Sequence, residues 1–232
     1  MAVVVNSGRR GEGKTTLGVF QVDKRDTRVM IDPRGLIRRP GAIVAYTLAG
    51  FDRGLQALID GDTDEVIFTP RPSPRMTDAD LLDFYDDAFR GFSRASMAFL
   101  MENPDADLGI LVDEAKFYGD ITKCGSFMWI VKSCNQDNVD LVITCHRPSD
   151  IRPDLRFHIN KWNLFRTTQE EDLDVIAGRA TRAVVDQVQQ LGAHELIIWN
   201  DDKGTSRAHR APWTWHCELA PRGAADHILE LE

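Results

Sequence analysis

The 232-residue sequence predicts an α/β fold: a mostly parallel central sheet flanked by helices and closed by a C-terminal β-hairpin. Three observations predict it. Strand–loop–helix patterns alternate along the chain, as they do where parallel strands are joined by crossover helices. Leu108 to Val112 is an uninterrupted apolar run, the pattern of a central strand covered on both faces. Glu195–Asn200 and Thr205–Arg210 flank Asp201-Asp202-Lys203-Gly204, which reads as a hairpin turn.

The elements follow in order. Residues 2–6 read as a buried strand, with a helix opening near Gly13 and running through Phe20. Arg28-Val29-Met30-Ile31-Asp32 reads as the second strand. Leu55 to Ile59 are helical in pattern, and Glu65 to Thr69 read as a strand. Arg71-Pro72-Ser73-Pro74 then breaks the chain. Thr77 is suited to cap a long helix, with acids in its first turn. Its apolar positions Leu81, Leu82, Tyr85, Ala88, Phe89 and Phe92 keep a helical period, and Pro104 closes the region. After the central strand come a helix around Phe127 to Cys134, strands Asp140–Cys145 and Trp162–Arg166, and a short helix from Glu170 to Ile176. No repeat or linker divides the chain, so residues 1–232 are expected to form one domain.

Composition narrows the class. No apolar run approaches the roughly 18 residues a membrane span needs. The N-terminus has a strand pattern rather than that of a signal peptide, so a cytosolic protein is expected. Cys124, Cys134, Cys145 and Cys217 lack ligand spacing and are expected to be free buried thiols. The net charge of −8 gives no bulk attraction for nucleic acid. Any contact with DNA must therefore be local. The short basic stretches are Arg34–Arg39, Arg71–Arg75 and Arg207–Arg210. Trp213 and Trp215 alternate in a strand-like way and suit packing better than base stacking.

Four motifs carry chemistry. Gly8-Arg9-Arg10-Gly11-Glu12-Gly13-Lys14-Thr15 fits the G-x-x-x-x-G-K-[ST] phosphate-binding loop, between a strand and a helix as that loop requires. Gly8, Gly11, Glu12, Gly13, Lys14, Thr15 and Thr16 are the candidate nucleotide-binding residues. Backbone N–H groups and the helix N-terminus would hold ATP phosphates, with Lys14 reaching the β- and γ-phosphates and Thr15 ligating Mg²⁺. Ile110-Leu111-Val112-Asp113-Glu114 ends a strand in two acids. Asp113 suits the Mg²⁺ shell, and Glu114 suits the base that activates a water. Leu141 to Pro148 ends the next strand at His146, a candidate sensor of the γ-phosphate. Arg147 beside it suits a structural or interfacial role. Ile31-Asp32-Pro33-Arg34-Gly35 is, alone, a turn signal after a strand.

Taken together, the phosphate loop, Asp32-Pro33-Arg34-Gly35, Val112-Asp113-Glu114 and Thr144-Cys145-His146-Arg147-Pro148-Ser149-Asp150 resemble the FtsK/HerA superfamily of DNA-pumping ATPases. Phe165 to Leu173 and Gly192 to Ile198 extend the resemblance over nearly the whole chain. It implies a RecA-like (ASCE-type) P-loop NTPase core. Two positions depart from the family pattern. His146 stands where relatives carry a sensor glutamine. Lys132-Ser133-Cys134-Asn135-Gln136 lacks the arginine that many relatives direct at a neighbour's ATP. Arg90 and Arg94, one turn apart on the long helix, are the alternative trans-acting arginines; otherwise they form a solvated basic face. The small size looks most like the genome-packaging ATPases of membrane-containing icosahedral viruses. That resemblance implies a homo-oligomeric ring, a hexamer, acting on double-stranded DNA. It also implies a capsid-vertex or viral membrane protein as partner, and residence in the host cytoplasm or virion.

Two other classes share the loop. A nucleotide or small-metabolite kinase would need an arginine-bearing lid, for which Arg71–Arg75 is the one candidate; it would have no need of Glu114. A ParA-like partition ATPase would need a second lysine early in the loop, where this chain has Arg9 and Arg10.

Overall fold

The computed structural model describes residues 2–134, 138–210 and 229–231. Strand β1 (Ala2–Ser7) is buried along its whole length and sits inside one ten-stranded sheet. The other strands are β2 (Thr27–Ile31), β3 (Ile43–Ala45), β4 (Glu65–Phe68), β5 (Leu108–Val112), β6 (Val139–Cys145), β7 (Lys161–Phe165), β8 (Glu195–Asn200), β9 (Thr205–Arg210) and β10 (Leu229–Leu231). Their order across the sheet is β10-β3-β4-β2-β5-β6-β1-β7-β8-β9. All neighbours from β10 to β7 are parallel. The expected hairpin, β8 with β9, adds antiparallel to β7. The strand carrying the acids (β5) is not next to the phosphate-loop strand (β1), because β6 lies between them.

The period-2 alternation of β1 sorts the helices by face. Ala2 and Val4 join Val19 and Val22 of α1 (Lys14–Val22) in one apolar cluster. Val3 and Val5 join the cluster on the opposite face. There they share a core with Phe51 and Leu55 of α2 (Leu48–Asp60) and Phe89 and Phe92 of α3 (Asp78–Glu102). Phe127 and Ile130 of α4 (Gly125–Ser133) extend it. Val184, Val185 and Val188 of the last helix, Arg182–Gln190, complete it against Trp162 and Leu164. A sheet covered on both faces accounts for the uninterrupted apolar strands.

Local signals set the boundaries. Thr77 caps α3 with a reciprocal capping box to Asp80. Helix α2 begins at Leu48, seven residues before the expected start, because the Thr47 hydroxyl accepts the Gly50 N–H at its N-terminus. The three-residue β3 and the last helix, Arg182–Gln190, also exceed the sequence expectation. Three cysteines, Cys124, Cys134 and Cys145, are free and buried, as expected. Cys217, Trp213, Trp215, Asn135 and Gln136 lie outside the described residues. Among the described residues, no helix is long and apolar enough to cross a membrane.

Candidate nucleotide site

Parallel strands bring their C-terminal ends to one edge, and the loops leaving that edge form the site. The loop after β1 turns back on itself through Gly11 at φ 85° and Gly13 at φ 91°, left-handed values that glycine tolerates. Gly8 lies against β7: a methyl group there would stand 2.4 Å from the Phe165 Cβ. The Gly8 N–H donates to the Cys145 carbonyl at the end of β6 (3.3 Å). Beneath the loop, the Asn163 amide donates to Asn6 (2.6 Å), and Asn6 donates to Gln21 of α1 (2.9 Å). These amides tie β7, β1 and α1 together under the turn.

Lys14 is the first residue of α1 and is buried. Its ammonium donates to the Arg9 carbonyl (3.0 Å), across the mouth of the loop. Burial lowers its pKa, while the charges of Glu114, Cys145, Asp113 and Glu12 act the other way. The Glu12 carboxylate points out of the loop and accepts the His194 N–H (3.0 Å), linking the loop to the turn before β8. Thr16 follows in the first turn of α1, partly buried.

The acids of β5 meet this loop from two strands away. The Thr15 hydroxyl donates to Asp113 Oδ1 (2.9 Å), and the Thr144 hydroxyl donates to the same oxygen (2.7 Å). Asp113 is 1% exposed, and its Oδ2 is buried with no hydrogen-bond partner. A buried carboxylate oxygen without a donor is costly unless a cation or its water completes it. Thr15, with its lone pairs still available, and Asp113 therefore fit a magnesium ion carried with a nucleotide. Burial pushes the Asp113 carboxyl up to about 6; Thr144 and Thr15 oppose this, and the charges of Asp32 and Glu114 add to it.

Glu114 adopts φ 53° and ψ 54°, a left-handed conformation uncommon outside glycine and asparagine. The Thr144 hydroxyl accepts its N–H (2.8 Å), so one hydroxyl fixes both acids. His146 Nε2 lies 2.7 Å from Glu114 Oε2. The contact is close but poorly directed, because this oxygen has no well-aligned donor. Burial lowers the His146 pKa against the pull of Glu114, and the charges of Lys14 and Arg34 lower it further. A neutral imidazole therefore dominates at neutral pH. On the other side, Arg34 Nη1 stands 3.9 Å from Glu114 Oε1. Its guanidinium also lies over the Phe117 ring, 5.3 Å from the centroid.

The structure thus gathers Lys14, Thr15, Asp113, Glu114 and His146 into one site. It places Arg90 and Arg94 elsewhere. Arg90 pairs with Asp86 one turn back (2.9 Å), and Arg94 borders a surface cavity of about 360 Å³ with Leu48, Asp52, Gly91 and Ala95. Arg147 has a structural link: with Ser149 and Thr167 it holds the buried Asp172, pinning the loop after His146 to helix Glu170–Ala177. Sequence reasoning assigned no role to Thr144 or Arg34. The available signal for Thr144 was a hydroxyl ending an apolar strand beside the acids. For Arg34 it was the Asp32 turn, whose carboxylate accepts the Arg34 and Ile37 N–H groups and fixes the loop.

No family model matches the chain, and no curated protein matches it. Solved structures do. The genome packaging NTPase B204 from Sulfolobus turreted icosahedral virus 2, in complex with ATP-gammaS, is 16% identical, with a TM-score of 0.67 over 90% of this chain and 96% of that one. The same protein in complex with sulfate gives 0.68 over 90% and 95%, at 16% identity. VirB4 of Thermoanaerobacter pseudethanolicus is 11% identical, with a TM-score of 0.61 over 91% of this chain and 90% of that one. The chain shares the fold of these proteins, with the mostly parallel sheet flanked by helices that the sequence predicts.

Proposed function

We propose that this chain is a magnesium-dependent ATPase that drives double-stranded DNA into a preformed viral capsid, working as a homo-oligomeric ring, a hexamer. One observation carries the hydrolytic part. The Thr144 hydroxyl bonds both the Asp113 carboxylate and the Glu114 N–H, so the candidate cation ligand and the candidate base are held by one side chain beside the phosphate loop. The packaging part is supported by the fold shared with the virus NTPase and by the motifs Asp32-Pro33-Arg34-Gly35 and His146-Arg147-Pro148. A capsid-vertex or viral membrane protein would dock the ring, in the host cytoplasm or the virion.

The chemistry follows from the side chains. Lys14 leaves the Arg9 carbonyl for the β- and γ-phosphate oxygens, a stronger charge-assisted partner. Backbone N–H groups of Gly11 to Thr15 and the α1 N-terminus hold the phosphate charge. Thr15 and Asp113 would hold a magnesium ion, which would supply neutralisation of the charge developing on the transferred group. Glu114 takes a proton from the attacking water as the bond to the γ-phosphorus forms and the bond to the bridging oxygen breaks. His146, 2.7 Å from Glu114, would act as the sensor of the γ-phosphate. Arg94 is the proposed arginine acting on the neighbour's nucleotide.

Turnover measured with and without double-stranded DNA tests the reading. DNA is expected to stimulate hydrolysis by the wild type. Glu114→Gln is expected to bind ATP and hardly turn it over. A monomer that phosphorylates a nucleoside monophosphate would overturn the motor.

A further inference from the structure

The edge that carries the nucleotide site has a second half. Running outward from Glu114 at the end of β5, the sheet presents the ends of β2, β4 and β3. The loops leaving these ends hold Arg34, Arg38, Arg71 and Tyr46. They are physically close. A methyl group on Gly35 would stand 3.0 Å from Thr69 Cγ2 and 3.5 Å from Arg38 Nη2. The Thr69 N–H donates to the Ala45 carbonyl (2.8 Å), which sets Tyr46 beside the same strand end. The Arg71 guanidinium lies on the Tyr46 ring, 3.3 Å from its centroid.

Arg25, Arg28 and Arg39 each hold a carboxylate. Among the described residues, Arg38 and Arg71 have no carboxylate partner. The acids that follow Arg71, Asp78 and Asp80, belong to the first turn of α3, where Asp80 closes the capping box. Stacking on Tyr46 orients the exposed Arg71 in advance, and a planar guanidinium held in this way offers the N–H fork that fits a phosphate.

We propose that the ends of β2, β3 and β4 form the surface that takes the phosphates of double-stranded DNA, with Arg38 and Arg71 as the contacts and Arg34 linking that surface to Glu114. The inference rests on the translocase reading and adds where the duplex meets the chain. It also accounts for DNA handling by a chain of net charge −8. At physiological salt, charges beyond about 8 Å are largely screened, so a local cluster decides the contact. Arg34 belongs to both halves of the edge. Phosphate drawn to it competes with its 3.9 Å contact to Glu114, giving DNA a direct route to the hydrolytic base.

The test compares two double variants of equal charge. Arg38→Ala/Arg71→Ala removes the proposed contacts. Lys24→Ala/Lys203→Ala removes two charges near the opposite edge, after α1 and in the β8–β9 turn. Affinity for a fluorescent duplex is measured against salt, with melting temperature as the check on folding. Each phosphate left without its cation lowers the slope of log Kobs against log salt by about 0.9. The arginine variant is expected to drop about two units of slope and its DNA-stimulated turnover, while the lysine variant keeps both. Equal weakening of the two variants overturns the proposal and leaves the motor standing. So does a folded arginine variant with normal slope but no turnover, which assigns these residues to nucleotide phosphates. A wild type that binds no duplex sinks the translocase reading and this surface with it.

Discussion

Asp113 shows how the residues of the site are tuned. Its carboxyl, ordinarily near 3.8, is pushed up to about 6, chiefly by burial. The native chain therefore holds this proton more tightly than the unfolded chain does. Stability from this group is lost as pH rises from about 4 to about 6 and is level above that, a loss of roughly 3 kcal/mol. Melting the nucleotide-free protein between pH 4 and 7 reads it. Asp113→Asn is expected to flatten this part of the profile, melt higher than wild type at pH 7, and lose magnesium-dependent turnover. An Asn variant that keeps the full wild-type slope contradicts the assignment. Thr144 gives a second prediction. Thr144→Val keeps the volume but leaves the buried Glu114 N–H without its acceptor, a cost of about 1–3 kcal/mol. Part of that cost is expected to appear as misplacement of Glu114. Each 1.4 kcal/mol in the transition state is about ten-fold in rate. Steady-state kinetics should show kcat down ten-fold or more with KM for ATP little changed; an unchanged kcat removes Thr144 from the positioning of Glu114. The phosphate-loop motif was legible because its residues fall within eight consecutive positions between a strand and a helix. Thr144 was not, because its partners stand 30 and 31 residues away on another strand. Nor does sequence alone show the left-handed conformation of Glu114.

Among the elements, the junction of the phosphate loop with β7 makes a sharper claim than any single strand. Gly8 has no room for a methyl group, because the Phe165 Cβ already occupies the space. Phe165 is 1% exposed and held in β7 between β1 and β8, so the loop gives way before the strand does. Overpacking of this kind costs about 1–3 kcal/mol. Gly8→Ala should thus weaken a fluorescent ATP analogue about ten-fold or more. The melting temperature should move by only a few degrees. Normal nucleotide affinity would show that the loop can leave β7 without harm. The same contrast explains which elements the sequence revealed. Leu108–Val112 matches β5 end to end because an apolar run between polar neighbours has no alternative register. Three-residue β3 offers too few positions for a period and is fixed by its pairing with β4. Helix α2 is longer than its pattern suggests because Gly50 and Gly54 interrupt its apolar period. Gly54 is nonetheless required, since a methyl group there would stand 2.8 Å from the Val66 Cγ1 on β4.

On the scale of the whole molecule, the proposed ring makes a claim about two sites at once. The chain's own site contains Lys14 and, near Glu114, Arg34, but the arginines of α3 lie away from it. An arginine that acts on a neighbour has to be exposed and uncommitted within its own subunit. Arg90 is tied to Asp86, whereas Arg94 is exposed beside a cavity. The two proposed trans-acting arginines are therefore unequal, and Arg94 is the better placed. Mixing subunits tests this. Arg94→Ala retains the phosphate loop but removes the arginine. Lys14→Ala retains the arginine but loses the ammonium proposed to grip the β- and γ-phosphates. Each variant alone is expected to be nearly inactive. If Arg94 reaches across, a mixed ring contains interfaces that pair an intact Arg94 with an intact Lys14. Turnover should then rise above the sum of the two variants, with a maximum near equal proportions. It should rise only where light scattering shows oligomers with nucleotide present. Arg90→Ala in place of Arg94→Ala should keep most of its activity unmixed, since it removes only a solvent-screened pair with Asp86 one turn away. Co-assembled rings whose activity never exceeds the sum would leave Arg94 as a solvent-facing charge. The search for the trans-acting group would then pass to Lys132 at the end of α4.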